Sequence, residues 1–106
     1  MRNRAELDTA VAAWIADQAF ATSTYGDINT WDVSAISDFS NLFDYKTSFN
    51  SDISSWDVSN GTDFGGMFRD TFAFNQDISS WDVSSGTTFY EMFNDADSFN
   101  QDIGSW

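Results

Sequence analysis

The stretch from residue 74 to residue 84 reads Phe-Asn-Gln-Asp-Ile-Ser-Ser-Trp-Asp-Val-Ser, and nearly the same letters stand before and after it in the chain. Its tryptophan belongs to a series spaced by 25 residues, which consists of Trp31, Trp56, Trp81 and Trp106. The first three each open the tetrapeptide Trp-Asp-Val-Ser. This many matches at one fixed spacing indicate a tandem repeat.

Two further motifs keep the same spacing. The first, Phe-Asn-x-Asp-Ile, begins at Phe49, Phe74 and Phe99, and a degenerate earlier copy covers residues 25–28. The second, Phe-x-x-[Leu/Met]-Phe, begins at Phe39, Phe64 and Phe89. Each repeat therefore contains three apolar segments joined by polar residues.

Each segment has a period that predicts a local structure. The alternation in Trp-Asp-Val predicts a very short strand with Trp and Val pointing inward. The i, i+3, i+4 spacing of Phe64, Met67 and Phe68 predicts one helical turn, with N-caps just before it at Ser37, Thr62 and Thr87. A single repeat cannot bury these rings alone, so we expect a repeat solenoid with a short parallel strand and one helical turn per repeat.

The N-terminal part of the chain departs from the repeat. Apolar letters fall at i, i+3, i+4, i+7 and i+8, at Leu7, Ala10, Val11, Trp14 and Ile15. This spacing predicts a helix with one apolar stripe, suited to covering the exposed core of the first repeat. The predicted organisation is an amphipathic capping helix in residues 1–24 and the tandem repeat in residues 25–106.

Composition excludes several classes of function. The chain has 17 acidic and 4 basic residues, a net charge of −13, and neither His nor Cys. This charge argues against nucleic acid and anionic lipid as partners, since phosphates need clustered Lys and Arg. Catalytic triads, zinc sites and thiol chemistry need the missing residue types, so we expect no enzyme. No apolar run predicts membrane insertion, and the N-terminus is not a signal peptide.

One acidic column is a candidate metal site. Asp32, Asp57 and Asp82 lie between inward Trp and Val, so they are expected to project outward in a line. Carboxylates about 5 Å apart repel by roughly 3 kcal/mol at an effective dielectric constant of 20. Backbone N–H groups and serine hydroxyls, or a hard cation such as Ca²⁺, would compensate. The column can therefore be structural or can bind a cation, and both interpretations stay open. The sequence contains no EF-hand loop that would favour Ca²⁺ binding.

Residues outside the apolar motifs and the aspartate column supply further candidate sites. Tyr45, Arg69 and Tyr90 depart from the repeat without a packing reason, so they are candidate binding residues. An exposed aromatic strip containing Tyr45, Phe72 and Tyr90 would suit stacking on sugars. A column of equivalent amides is expected to form a buried ladder, at Asn50, Asn75 and Asn100.

The whole motif resembles the repeats of BspA-like bacterial surface proteins. Phe-Asn-Gln-Asp-Ile-Ser-Ser-Trp-Asp-Val-Ser, followed by Thr-Asp-Phe and Met-Phe, carries the resemblance over residues 25–106. It implies a leucine-rich-repeat-like fold, an extracellular or cell-surface location, a role in adhesion and no catalytic residues. Gly61 and Gly86 depart from the usual Val, whereas Ile36 keeps an apolar residue there.

Two functions from different classes are compatible with these observations. The first is a cell-surface interaction or adhesion module that holds a protein or a glycan. The second is a structural subunit that assembles end to end into filaments, with Ca²⁺ bridging the aspartate column. The repeat is interrupted at Trp106 without a polar closing element, which leaves open a cut in a longer array or a rung supplied by another molecule.

Overall fold

Regular helices are confined to the N-terminal quarter of the chain. The computed structural model describes all residues 1–106. It contains helix α1 at Arg4–Ala16, helix α2 at Gln18–Tyr25 and a 3₁₀ turn at Ile28–Thr30. The predicted single capping helix is therefore two helices. Asp17 separates them: it ends α1, and its carboxylate accepts the Phe20 N–H as the N-cap of α2.

Residues 31–106 consist of turns and extended coil. The only ladder contacts are isolated parallel bridges that join Asp38 to Asp63 and Asp63 to Thr88. There is no sheet and no helix in this part of the chain. The predicted leucine-rich-repeat-like solenoid, with a strand and a helical turn in every repeat, is therefore wrong. We divide this region by sequence into unit 1 (residues 32–56), unit 2 (57–81) and unit 3 (82–106).

The backbone hydrogen bonds explain why neither regular structure forms. The N–H groups of Phe43 and Tyr45 donate to Met67 and Arg69 carbonyls of the next unit at 2.9 and 3.0 Å. The intervening Asp44 N–H turns back to Asn41, three residues earlier, at 3.2 Å. The backbone N–H groups thus alternate between a hydrogen bond to the next unit and one to a carbonyl three residues earlier. In a helix, every N–H would donate four residues back. In a strand, the N–H groups would make no hydrogen bonds within their own unit.

The predicted N-caps also have a different role. Thr62 donates both its N–H and its hydroxyl to the carbonyl of Ser37, and Thr87 does the same to Thr62. These residues start no helix. They join successive units at the point where the Phe-x-x-[Leu/Met]-Phe segment begins.

Aromatic rings from equivalent positions form the core. Phe68 lies parallel to Phe43 and to Phe93, with 5.6 Å between ring centroids in both pairs. Trp56 and Trp81 are buried, and their indole N–H groups donate to carbonyls of Ile28 and Ile53. The prediction that the tryptophan column is core is confirmed for Trp31, Trp56 and Trp81, whereas Trp106 is only partly buried. Such offset ring pairs add to the stabilisation that burial already gives.

The glycines that depart from the resembled family have a steric cause. A Cβ atom on Gly61 would lie 2.5 Å from the ring carbon Cζ of Phe64, and one on Gly86 would lie 2.3 Å from Cζ of Phe89. The phenylalanine ring thus fills the space that a side chain would need. Unit 1 keeps Ile36, which is buried in the core.

Helix α1 covers the core beside unit 1. Leu7, Val11 and Trp14 are buried, and the Trp14 ring meets Trp31 edge-on at 5.9 Å. The Trp14 indole N–H donates to the Ser51 hydroxyl at 3.0 Å. Ile15, predicted on the same stripe, is instead 40% exposed.

Candidate functional site

The structure brings together the three residues that were singled out because they depart from the repeat. The Arg69 guanidinium lies 5.7 Å from the centre of the Tyr45 ring, a cation–π distance. Arg69 and Tyr90 line one open cavity of about 290 Å³. Although they come from three different units, Tyr45, Arg69 and Tyr90 thus belong to one surface, which we call the Arg69 face.

Two acidic residues hold Arg69 in place. Its guanidinium donates to both carboxylate oxygens of Asp44, at 3.2 and 2.7 Å, and to Glu91 at 3.3 Å. These bonds, those to Asp44 above all, raise the pKa of Arg69 above its ordinary value. Planar forked donors fix orientation better than a single ammonium group does. Arg69 is therefore a fixed and locally neutralised feature of the surface.

The backbone on this face adopts a conformation that L residues rarely take. Tyr45 has φ 60° and Glu91 has φ 55°, and Asn41, equivalent in position to Glu91, has φ 56°. Positive φ is uncommon outside glycine and is a real departure for a bulky residue such as tyrosine. Because Gly66, Asp70 and Asp95, at the equivalent positions of the other units, also have positive φ, this conformation belongs to the repeat and does not by itself mark the Arg69 face as a site.

The Arg69 face combines exposed rings with polar groups. Tyr45 is 66% exposed and Tyr90 is 76% exposed. The remaining lining of the cavity is polar and includes Asn41, Asp63 and Thr88. Tyr45 lies outside this cavity but contacts Arg69, whereas Phe72, the third ring of the predicted aromatic strip, is 43% exposed and neither lines the cavity nor stacks on Arg69. The strip is thus reduced to the two tyrosines.

The candidate metal ligands Asp32, Asp57 and Asp82 have protein partners instead. The Asp57 carboxylate accepts the Ser59 N–H at 3.0 Å and the Ser59 hydroxyl at 2.6 Å. In the same way, Ser34 donates its N–H and hydroxyl to Asp32, and Ser84 donates both to Asp82. No group of three or more acidic side chains is placed so that it could hold a metal ion. The column forms a series of Asx turns.

The serine hydroxyls, followed by the serine N–H groups, lower the pKa of all three carboxyls. For Asp57, the neighbouring Asp32 and Asp82 act in the opposite direction. A lowered pKa in the folded state stabilises the fold above the unfolded value of about 3.9, and this contribution is lost as the pH falls through the folded pKa.

We therefore predict that Ser59→Ala raises the pKa of Asp57. The missing hydroxyl removes the largest favourable contact of the charged carboxylate. Carboxyl-detected NMR titration of the variant and the parent chain measures the effect, with Asp77 as internal control because its partner is Ser79. An unchanged Asp57 pKa would contradict the Asx-turn account.

Similar aspartate turns occur at positions that sequence reasoning passed over. Asp38 accepts the N–H and hydroxyl of Ser40, and Asp63 accepts the N–H of Gly65. A residue such as Ser or Gly two positions after an aspartate is the sequence feature that could have predicted these turns. The asparagine column is also different from its prediction, because Asn50, Asn75 and Asn100 are exposed. The side-chain oxygens of Asn50 and Asn75 still link units, since they accept the N–H groups of Asn75 and Asn100 at 2.8 and 2.9 Å.

A second surface lies on unit 3, on the side away from unit 2. Phe89 is 39% exposed there, whereas the equivalent Phe39 and Phe64 are fully buried. An open cavity of about 660 Å³ on this side has mostly apolar lining, including Trp81, Phe89, Met92, Phe93, Ile103 and Trp106. We call these six residues the end face. Sequence analysis predicted an uncovered repeat here but none of its contacts.

Comparison with known proteins places the chain in a family. The family described as "Mycoplasma protein of unknown function, DUF285" matches residues 13–106, and the chain therefore belongs to it. No curated protein and no solved structure matches the chain. Neither of its helices has the length and apolar character needed to cross a membrane.

Proposed function

We propose that this member of the DUF285 family is a non-catalytic interaction module that binds a carbohydrate through the Arg69 face. The observation that carries the proposal is the meeting of Tyr45, Arg69 and Tyr90 on one surface, although each departs from the repeat. The resemblance to BspA-like surface repeats supports an extracellular or cell-surface location and a role in adhesion.

The composition of the face favours a sugar over a protein partner. The exposed tyrosine rings offer flat apolar surfaces for the C–H groups of a pyranose, and phenolic O–H groups at their edges. Asn41 and Thr88 supply neutral donors and acceptors in the adjoining cavity. Protein interfaces are more often centred on a buried apolar patch, and this cavity has only one apolar side chain among its nine lining residues.

The charges of the face favour a neutral sugar. Arg69 is already paired with Asp44 and Glu91, so it has little capacity left for a sulfate or a carboxylate. The net charge of −13 repels anionic polymers as well. A neutral or amino-sugar glycan is therefore expected to bind better than a sulfated or sialylated one.

We expect the double variant Tyr45→Ala/Tyr90→Ala to bind the selected glycan at least tenfold more weakly, which corresponds to about 1.4 kcal/mol. A glycan array identifies the ligand, and isothermal titration calorimetry measures its dissociation constant for each variant. Phe72→Ala is the matched control, because Phe72 is an exposed ring that neither lines the cavity nor stacks on Arg69. The glycan affinity of this variant should change less than twofold.

Two results would contradict the carbohydrate proposal. One is a glycan whose affinity is the same in the double variant and the parent chain. The other is a preference for sulfated glycans that is lost at high salt, since this would place binding on charge and not on the tyrosines. A protein ligand whose binding needs both tyrosines would keep the Arg69 face as the site and change the ligand class.

A further inference from the structure

We propose that a slot over Gly65 and Gly66 receives the uncharged, non-reducing terminal residue of a cell-surface glycan, an inference that rests on the carbohydrate function proposed above. The slot is the cavity of about 290 Å³ on the Arg69 face. Its position within the repeat shows which residues create it. Its borders determine which part of a glycan can enter.

Two adjacent glycines of unit 2 create the slot. The pairs at equivalent positions of the three units all line it: Ser40 and Asn41 in unit 1, Gly65 and Gly66 in unit 2, and Tyr90 and Glu91 in unit 3. Because the glycines have no side chains, a gap one unit wide remains between the side chains of units 1 and 3. The Asn41 Oδ1 overhangs this gap, where a Cβ atom on Gly66 would collide with it.

Other side chains border the two remaining sides of the slot. Asp63 precedes the glycines and Arg69 follows them in unit 2, and Thr88 lies beside Asp63 across an isolated bridge; all three line the cavity. At the base, the two glycine N–H groups already have acceptors, the Asp63 carboxylate at 2.9 Å and a carbonyl of unit 3 at 2.8 Å. A sugar ring that stands in the slot can therefore be linked to the rest of a glycan only through its outer edge.

This arrangement selects the end of a glycan over its interior. A terminal residue carries one glycosidic bond, whereas an internal residue carries two, commonly on opposite sides of the ring. The volume of about 290 Å³ lies at the lower limit of small-molecule pockets, which are roughly 300–1,000 Å³, so it suits one ring. Because a cell-surface glycan is attached to its carrier through its reducing end, the free terminal residue is the non-reducing one.

The polar groups around the slot suit hydroxyl groups and repel anions. Asp63 uses one carboxylate oxygen for a backbone N–H at the base, and Glu91 uses one for Arg69. The second oxygen of each is free to accept a sugar O–H in a charge-assisted hydrogen bond. The exposed side chains of Asn41 and Thr88 add neutral donors and acceptors. An anionic terminal residue would face the two carboxylates, and Arg69 is already paired.

Tyr45 is placed for the second residue of the glycan. It lies outside the slot, against Arg69, and its ring is 66% exposed. A residue linked to the outer edge of the terminal ring leaves the slot and can stack on this tyrosine, while Tyr90 borders the terminal ring itself. Affinity should therefore increase from one sugar residue to two and then stop increasing.

The first experiment uses the unchanged chain and varies the sugar. Isothermal titration calorimetry compares β1,4-linked oligosaccharides of glucose, N-acetylglucosamine, mannose and galactose, each one to four residues long. In the series that binds, we expect less than a twofold gain in affinity beyond the disaccharide. A 4,6-O-benzylidene group on the non-reducing residue should weaken binding at least tenfold, because it enlarges the ring that must enter the slot.

The second experiment fills the slot with the residues of unit 1, in the variant Gly65→Ser/Gly66→Asn. The backbone is suited to this change, since Asn41 and Glu91 have φ 56° and 55° at the position equivalent to Gly66, and asparagine tolerates this region well. Binding should weaken at least tenfold. The thermal midpoint shows whether the variant is folded, and the benzylidene comparison decides the question without any variant.

The outcomes separate this inference from the carbohydrate function. Equal affinity for the blocked and free ends, or affinity that keeps increasing up to four residues, would overturn the terminal-residue inference. So would unchanged affinity in the folded slot-filled variant; if Tyr45→Ala/Tyr90→Ala then abolished binding, the carbohydrate function would stand and the slot would have no part in it. Absence of binding by every oligosaccharide would overturn both.

Discussion

Replacing Phe68 with alanine is expected to lower the free energy of unfolding by about 3–5 kcal/mol. Phe68 is fully buried at the centre of the aromatic core. Its ring contacts Phe74 at 4.1 Å between centroids, besides Phe43, Phe93 and Trp81. Truncation removes the burial of one large ring and leaves a cavity between two rows of rings. These neighbours also pack against rings on their other sides, so they are poorly placed to collapse into it.

Urea unfolding followed by tryptophan fluorescence measures this loss. Phe72→Ala is the control, because Phe72 lies four residues away in the same unit and is 43% exposed, whereas Phe68 is fully buried. Exposed substitutions without special contacts usually change stability by less than about 0.5 kcal/mol. A similar loss for the two variants, or a loss below about 1.5 kcal/mol for Phe68→Ala, would contradict a core built on ring contacts between units.

The sequence predicts the composition of this core but not its backbone. Trp56 and Phe68 were expected inside because they return at a fixed spacing, and burial of equivalent rings follows from that spacing alone. The strand predicted at Trp56-Asp57-Val58 fails for a local reason. The Asp57 carboxylate accepts the Ser59 N–H, which closes a turn two residues later. An alternating pattern of three residues cannot distinguish a strand from extended coil that ends in an Asx turn.

The helical turn predicted at Phe64-Met67-Phe68 fails because of competition between units. The Phe68 N–H has a choice between its own chain four residues back and the carbonyl of Met92 in the next unit, and it takes the latter at 2.9 Å. Spacing of i, i+3 and i+4 is compatible with successive turns as well as with a helix. Only the position of the neighbouring unit decides between them, and that is tertiary information.

For the candidate site, the sequence predicts which residues take part but not which side chains they contact. Tyr45, Arg69 and Tyr90 could be identified because other residues occupy the equivalent positions of the neighbouring repeats. The partnership of Arg69 with Asp44 and Glu91 depends on which side chains of adjacent units face each other. The hydrogen bonds between units were not predictable either, because the sequence does not show in which direction they run.

Leu7→Ala is expected to lower the free energy of unfolding of the whole chain by about 2–5 kcal/mol. Leu7 is fully buried on α1 and belongs to the same core cluster as the rings of units 1 and 2. The helices cover Trp31, which Trp14 meets edge-on, and the side of unit 1 next to it. Loss of this cover should therefore destabilise residues far from the helix.

Ile15→Ala is the matched control, since Ile15 is also an aliphatic residue of α1 but is 40% exposed. We expect it to cost well under half of the loss caused by Leu7→Ala. Helix content at 222 nm and tryptophan fluorescence should show one common urea transition in both variants, because the core is continuous. Two separate transitions, with the helices melting first and the units unaffected, would contradict the role of α1. In that case the units would hold together without their cover.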